Sequence, residues 1–279
     1  MKAKWILFAL VLVAAMSLNA RNVRRPKLLR LYVIDCGQLK VEDPARFNFK
    51  KEELKVLDLS VGCYLVVHPK GAMIWDTGVV PDEKFPADGK PATKEYATAT
   101  VPLKTQLSKI GYPPANIQYL ALSHFHWDHV GNASEFAGST WLVTKVEHDA
   151  LFSPSLPPRT DAAMFAPLKD TKVVYLPERD YDVFGDGSVV IKPTPGHTPG
   201  HRVLYLKLAK TGGVVLSGDL YHYPEEVNGN RVMQGDVIEQ TAASRASLQA
   251  FLKQNHAQLW IQHDLGGFRK LKKAPEFYQ

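Results

Sequence analysis

His124-Phe125-His126-Trp127-Asp128-His129 is the stretch that decides how this 279-residue chain folds. It follows directly on Tyr119 to Leu122, a short apolar run that reads as a strand. Side chains two positions apart in extended chain point the same way, so the His124 and His126 imidazoles can meet one metal ion. Asp128 and His129 fall in the turn beyond, where they can face a second ion close by. Imidazole and carboxylate are the donors zinc takes in sites that keep an open position. Four polar residues on a solvated loop are the plain alternative. So dense a run of ligand types directly after an apolar strand argues against it.

A metal with two histidines needs a third protein ligand, and other strand ends supply candidates. His197 sits in Pro195-Gly196-His197-Thr198-Pro199-Gly200-His201, after the β-prone run Val189 to Lys192. Asp219 sits in Ser217-Gly218-Asp219 after Val214 to Leu216, and His263 follows Leu259 to Gln262. Any one alone reads as an ordinary structural residue. Three at strand ends beside glycines or turns read as a site, because loops converge there.

The rest of the chain supports a layered fold. Leu28 to Cys36, Val61 to His68, Ala72 to Trp75, Trp141 to Val143, Val173 to Leu176 and Val203 to Leu208 also read as strands. Leu103, Leu107 and Ile110 mark one face of a helix that Gly111 and Pro113 stop. Thr144 and Glu147 have capping-box spacing at a second helix start, and Ser244 to Lys253 carries Leu248, Phe251 and Leu252 on one face of a third. Residues 81 to 100 and the proline-rich 153 to 167 read as loops. Strands with helices between and after them suggest two sheets covered by helices.

The ordered set Asp76-Thr77-Gly78, His-x-His-x-Asp-His, Gly-His-Thr-Pro-Gly-His, Gly-Asp and a final His resembles the metallo-β-lactamase superfamily, from Asp76 to His263. The resemblance implies an α/β fold, an αββα sandwich of two mixed β-sheets flanked by helices, with metals at one sheet edge. It implies two Zn2+ per chain. His124, His126 and His197 would hold the first; Asp128, His129 and His263 the second; Asp219 would bridge them. Iron, cobalt or manganese suit the same donors. Asp76 and His201 are expected to orient ligand imidazoles from behind.

Branch features narrow the expectation. Asp219 stands where the cysteine-type β-lactamases have Cys, and His126 rather than Glu argues against the flavodiiron branch. Little chain follows His263, which argues against glyoxalase II. The runs Tyr96 to Leu103 and Leu107 to His124 look most like the N-acyl homoserine lactonases. That implies lactone ring opening by a metal-bridging hydroxide, with Asp128 carrying its proton to the leaving alkoxide. A carbonyl-binding tyrosine of that branch is replaced here by His222, flanked by Tyr221 and Tyr223. His222, or else Tyr221 or Tyr223, is expected to donate to the substrate carbonyl. Trp127 is the best candidate for an acyl-pocket residue, ahead of Phe125, Phe152, Met164 and Phe165, each of which reads alone as core. A β-lactamase, an esterase or thioesterase, and a metal-free binding module are the rival readings.

Lys2, Lys4, the apolar run Trp5 to Met16 and a small residue at Ala20 read as a secretory signal peptide over residues 1–20, leaving one hydrolase domain over 21–279. Export to the periplasm or beyond is the expectation. Without Lys2 and Lys4 the formal charge falls from +6 to +4, and five basic residues from Arg21 to Arg30 crowd the new terminus. No basic stripe interleaves with aromatics, so nucleic acid is not an expected partner. A small acyl lactone is, and a homodimer is compatible with the reading. Cys36 and Cys63 are too few for a disulfide framework. Export permits one bridge between them, and buried thiols are an equal alternative.

Overall fold

A computed structural model describes residues 26–229 and 231–279. The proposed signal peptide lies outside the described residues. Among them, no helix is long and apolar enough to cross a membrane.

Eight strands form one mixed sheet: β1 (Arg30–Leu39), β2 (Leu59–His68), β3 (Gly71–Trp75), β4 (Ala92–Lys94), β5 (Ala97–Ala99), β6 (Tyr119–Ala121), β7 (Thr140–Val143) and β8 (Val173–Tyr175). Their spatial order is β4-β5-β1-β2-β3-β6-β7-β8. β3, β6, β7 and β8 run parallel, and the remainder pair antiparallel. The second sheet holds β9 (Tyr181–Asp182), β10 (Val189–Pro193), β11 (Arg202–Leu208), β12 (Gly212–Leu216) and β13 (Gln258–Trp260), in the order β13-β12-β11-β10-β9. It is mixed too, since β12 and β13 are parallel.

Side-chain alternation builds the layers. From β1, Leu31 and Val33 enter the core between the sheets, where they meet Leu204, Leu206 and Leu208 of β11. Tyr32, Ile34 and Cys36 point the other way, into a core shared with Leu103 and Leu107 of α1 (Leu103–Lys109). Leu151 of α3 (Lys145–Leu151) joins that core, as do Met164 and Phe165 of α4 (Ala162–Phe165). On the far side, Val203 and Tyr205 pack under Leu248 and Leu252 of α5 (Ile238–Asn255). The result is the expected αββα sandwich.

Three expectations need amending. Residues 81–100 are not all loop, because β4 and β5 form a hairpin on the edge of the large sheet. Short alternating Ala and Thr gave no apolar run to find there. Cys36 and Cys63 form a disulfide between β1 and β2. Thr144 caps α3, accepting from the Glu147 N–H at 3.3 Å, but Glu147 does not close the box. Its carboxylate instead accepts from Thr198 Oγ1 and Gly200 N at 2.7 and 2.8 Å.

Candidate metal centre

Strand ends deliver every candidate ligand to one edge of the sandwich. His124 and His126 follow β6, and Asp128 and His129 lie on the single turn α2 (Trp127–Val130) rather than in an irregular turn. His197 follows β10, Asp219 follows β12 and His263 follows β13. Glycine permits the tight approach of the His197 loop: a Cβ on Gly200 would lie 2.2 Å from Thr144 Oγ1 and 2.4 Å from Glu147 Cγ. All seven side chains are buried.

The seven fall into two groups that share Asp219. His124, His126, His197 and Asp219 form one; Asp128, His129, His263 and Asp219 form the other, each with donor atoms within 4.8 Å of one another. The two Asp219 oxygens divide between them. Oδ2 lies 3.1 Å from His197 Nε2 and 3.6 Å from His124 Nε2. Oδ1 lies 2.9 Å from His129 Nε2 and 3.0 Å from His263 Nε2.

Tautomers show that this arrangement suits cations. His129 Nδ1–H donates to Asp76 at 2.9 Å, and His263 Nδ1–H donates to the Ser60 carbonyl at 2.7 Å. Their Nε2 atoms then carry lone pairs, yet face one another at 3.3 Å. His197 Nδ1–H donates to Asp236 at 2.9 Å, so its Nε2 lone pair faces His126 Nδ1, also at 2.9 Å. Lone pairs that converge in this way repel unless a proton or a metal ion lies between them. His124 Nε2 and Asp219 Oδ1 are buried without a hydrogen-bond partner, which costs free energy unless something binds them. Buried imidazole nitrogens plus carboxylates form a donor set that fits zinc.

Electrostatics follow from the same geometry. Burial, reinforced by neighbouring histidines, holds His124 and His126 well below the usual imidazole range. Burial opposes the Asp219 charge, but the surrounding histidines overcome it and hold the acid well below the carboxylate range. Burial likewise opposes protonation of His129, which Asp219, Asp76 and Asp128 together raise well above the usual value.

Support from behind is only partly as expected. Asp76 does orient a ligand-type imidazole, that of His129. It also accepts from Ser123 N, Ser123 Oγ and Gln262 Nε2 at 2.7, 3.0 and 2.8 Å. His201 does not orient an imidazole. Its Nδ1–H donates toward Thr194, and its Nε2 accepts the backbone N–H of Asp219 at 2.9 Å. Buried and accepting, it is pushed down to about 3, burial being the main cause.

The three rings that follow Asp219 and Leu220 separate. His222 faces the site, its Nε2 3.3 Å from Asp219 Oδ2 and its ring stacked 5.6 Å from that of His263. Burial works against its cation, but Asp219 and Glu226 outweigh burial and raise it to about 9. Tyr221 is not brought to the site. Its hydroxyl accepts from Gln249 of α5 at 3.2 Å and its ring packs 4.5 Å from the Arg245 guanidinium. Tyr223 turns away as well, donating to the Leu57 carbonyl at 2.7 Å.

A cleft of about 270 Å³ opens over Asp128, Asp219, His222 and His263. Trp127 lines it, with Leu39, Phe47 and Leu59 as further apolar wall. Phe125, Met164 and Phe165 are core instead, and Phe152 packs against that core. Asp236, Gln262, Phe47, Arg46 and Arg159 were missed in the sequence. Only Gln262 carried a signal, as the immediate neighbour of His263.

An αββα sandwich carries at its edge two histidine–carboxylate groups that share one aspartate, each able to hold a metal ion. The chain belongs to the metallo-beta-lactamase superfamily, whose family model matches residues 57–256. It is similar to the N-acyl homoserine lactonase AttM of Azorhizobium caulinodans, 26% identical over 276 residues, covering 90% of this chain and 98% of that one. It is also similar to the N-acyl homoserine lactonase AiiA of Bacillus thuringiensis subsp. kurstaki, 25% identical over 260 residues, covering 89% and 98%. A solved AiiA variant with N-decanoyl-L-homoserine at its active site superposes with a TM-score of 0.73 at 25% identity, covering 90% and 99%. The dizinc lactonase AidC shares the fold, with a TM-score of 0.66 at 20% identity over 92% and 96%.

Proposed function

We propose that this protein is a zinc-dependent hydrolase that opens the ring of N-acyl homoserine lactones. The observation that carries the reading is that a complete two-group ligand set sits beneath a partly apolar cleft, in a chain matching lactonases over nearly their whole length. His124, His126, His197 and Asp219 would hold one ion, and Asp128, His129, His263 and Asp219 the other. When bound, the two ions supply Lewis acidity toward the ester carbonyl and a water acidic enough to ionise near neutral pH.

The chain's own residues do the rest. Trp127, Leu39, Phe47 and Leu59 take up the acyl chain and exclude water from the cleft. His222 is the donor in reach of the substrate carbonyl oxygen, in place of a tyrosine, and favours the charge that develops there. Asp219, and behind it Glu226 at 3.5 Å from His222 Nδ1, favour the charged form of that ring. Asp128 takes the proton of the attacking water and returns it to the leaving alkoxide, so the products are a carboxylate and an alcohol.

The leader-like residues 1–20 and the Cys36–Cys63 bridge both suit an oxidising, non-cytoplasmic compartment. The decisive experiment counts metals in pure protein. It then follows acid release from N-hexanoyl-homoserine lactone, nitrocefin, an aryl ester and a thioester. Two zinc ions and a clear preference for the lactone are expected. Turnover of another class with the lactone untouched overturns the reading.

A further inference from the structure

Two guanidinium groups line the cleft without an acidic partner. Arg46 Nη2 and Arg159 Nη1 both rest on the Met233 sulfur, at 4.0 and 3.9 Å, so the two charges are neighbours. Both residues line the cleft that holds Asp128 and His222. Among the described residues, no carboxylate stands within ion-pair distance of either. The acids on the same rim are engaged elsewhere. Glu42 pairs with Lys40 at 2.9 Å, and Asp43 accepts the Ala45 N–H at 3.0 Å.

Arg159 is also held in place. Its carbonyl accepts the Trp127 N–H at 2.9 Å, tying it to the first residue of α2. Its backbone is left-handed, with φ at 61°, a conformation non-glycine residues seldom adopt. A neutral acyl chain offers nothing to either guanidinium. A planar fork of donors matches a carboxylate, which it can grip through two hydrogen bonds.

We propose that Arg159 and Arg46 form an anion-binding subsite that selects lactones whose acyl chain ends in a carboxylate. The subsite rests on the lactonase reading for its substrate, but not for its existence. Trp127 and the exposed Tyr96, packed edge-on at 5.4 Å, line the same cleft as the guanidiniums, Asp128 and Asp219, and offer apolar wall to the methylenes of such a chain.

The test compares N-adipoyl-homoserine lactone, which carries a terminal carboxylate, with N-hexanoyl-homoserine lactone. The zinc-loaded full chain is used, alongside R159Q and the exposed-site variant R46Q. Calorimetric titration with adipate runs in parallel. Wild type is expected to favour the adipoyl substrate in kcat/KM, and the preference ratio to fall at least about tenfold in R159Q and severalfold in R46Q. Added salt should erode the Arg46 share of it most, because that guanidinium is exposed whereas Arg159 is half-buried. An unchanged ratio in both variants overturns the subsite. If neither lactone is opened, the lactonase reading fails and adipate decides. Binding at least about fivefold weaker in R159Q upholds the subsite, and equal binding in both proteins overturns it.

Discussion

Two imidazoles at the site lean on carboxylates at the same distance, yet are supported very differently. His129 Nδ1 meets Asp76 at 2.9 Å, and His197 Nδ1 meets Asp236 at 2.9 Å. Asp76 directly follows β3 and accepts four hydrogen bonds, from His129, Ser123 twice and Gln262. Gln262 in turn accepts from Trp75 Nε1 and Gly218 N at 3.0 and 2.9 Å. One network therefore clamps the ends of β3, β6, β12 and β13 around His129. Asp236 comes from the loop before α5, and its Oδ2 is buried without a partner. The His129 side is built into both sheets, whereas the His197 side depends on one loop closing over it. An imidazole fixed from several directions loses less freedom when it takes up a metal, so the second group should be the more pre-organised.

Removing the shared carboxylate should erase the difference altogether. Asp219→Asn leaves the volume but removes the charge both groups share and replaces one group's oxygen with an NH2. Metal content is expected to drop below two per chain and kcat/KM for the lactone to fall by on the order of 1,000-fold, beyond the 10–100-fold typical of outer partners. Atomic absorption and lactone kinetics check this, and full metal content with near-normal turnover refutes it. Asp76→Asn comes next. It weakens one ligand and leaves buried donors facing an amide, so zinc affinity should fall toward the upper end of about 10–100-fold, with a lowered Tm. Asp236→Asn breaks a single contact. Affinity should fall toward the lower end of the same range, about tenfold, with Tm nearly unchanged. Competition with a zinc chelator ranks the two variants. Equal losses, or the reverse order, break the comparison.

The same contrast explains what was legible in the sequence. Asp76, His124, His126, Asp128 and His129 sit within a few residues of apolar strands, so local pattern alone places them at one sheet edge. His197, Asp219 and His263 could be added because each also closes a strand. Asp236 had no such marker. It lies in a polar loop 39 residues from His197, and only the packing of α5 on the second sheet brings it there. Tyr221 misled for a related reason. Its position beside Asp219 is close in sequence, but the extended backbone at Tyr221 turns successive side chains to opposite sides, sending it toward Arg245 while His222 faces the ligands. The β4–β5 hairpin was hidden because its residues carry little hydrophobic signal. The guanidiniums of Arg46 and Arg159 come together only through Met233, from a third part of the chain.

The smallest effect on turnover should come from Glu147, whose influence on the His197 loop falls on stability instead. Burial pushes its carboxyl up to about 7, against the hydrogen bonds from Thr198 and Gly200 that favour the charged form. One of its oxygens, Oε2, has no partner. An unfolded Glu ionises near 4.5, so between that pH and about 7 the unfolded chain sheds a proton that the folded chain keeps. Glu147 therefore stabilises the fold least above pH 7, and its contribution declines as pH rises through that window. Glu147→Gln keeps a carbonyl for Thr198 and Gly200 and removes the buried charge. In chelator-treated protein, the Tm difference between variant and wild type should be small at pH 4.5. It should grow in the variant's favour up to pH 7 and then level off, the whole rise corresponding to a stability change on the order of 3 kcal/mol. A difference that stays flat across the window would show that Glu147 ionises as easily in the folded chain as outside it. The His197 loop would then rest on a carboxylate that suffers no penalty for being buried.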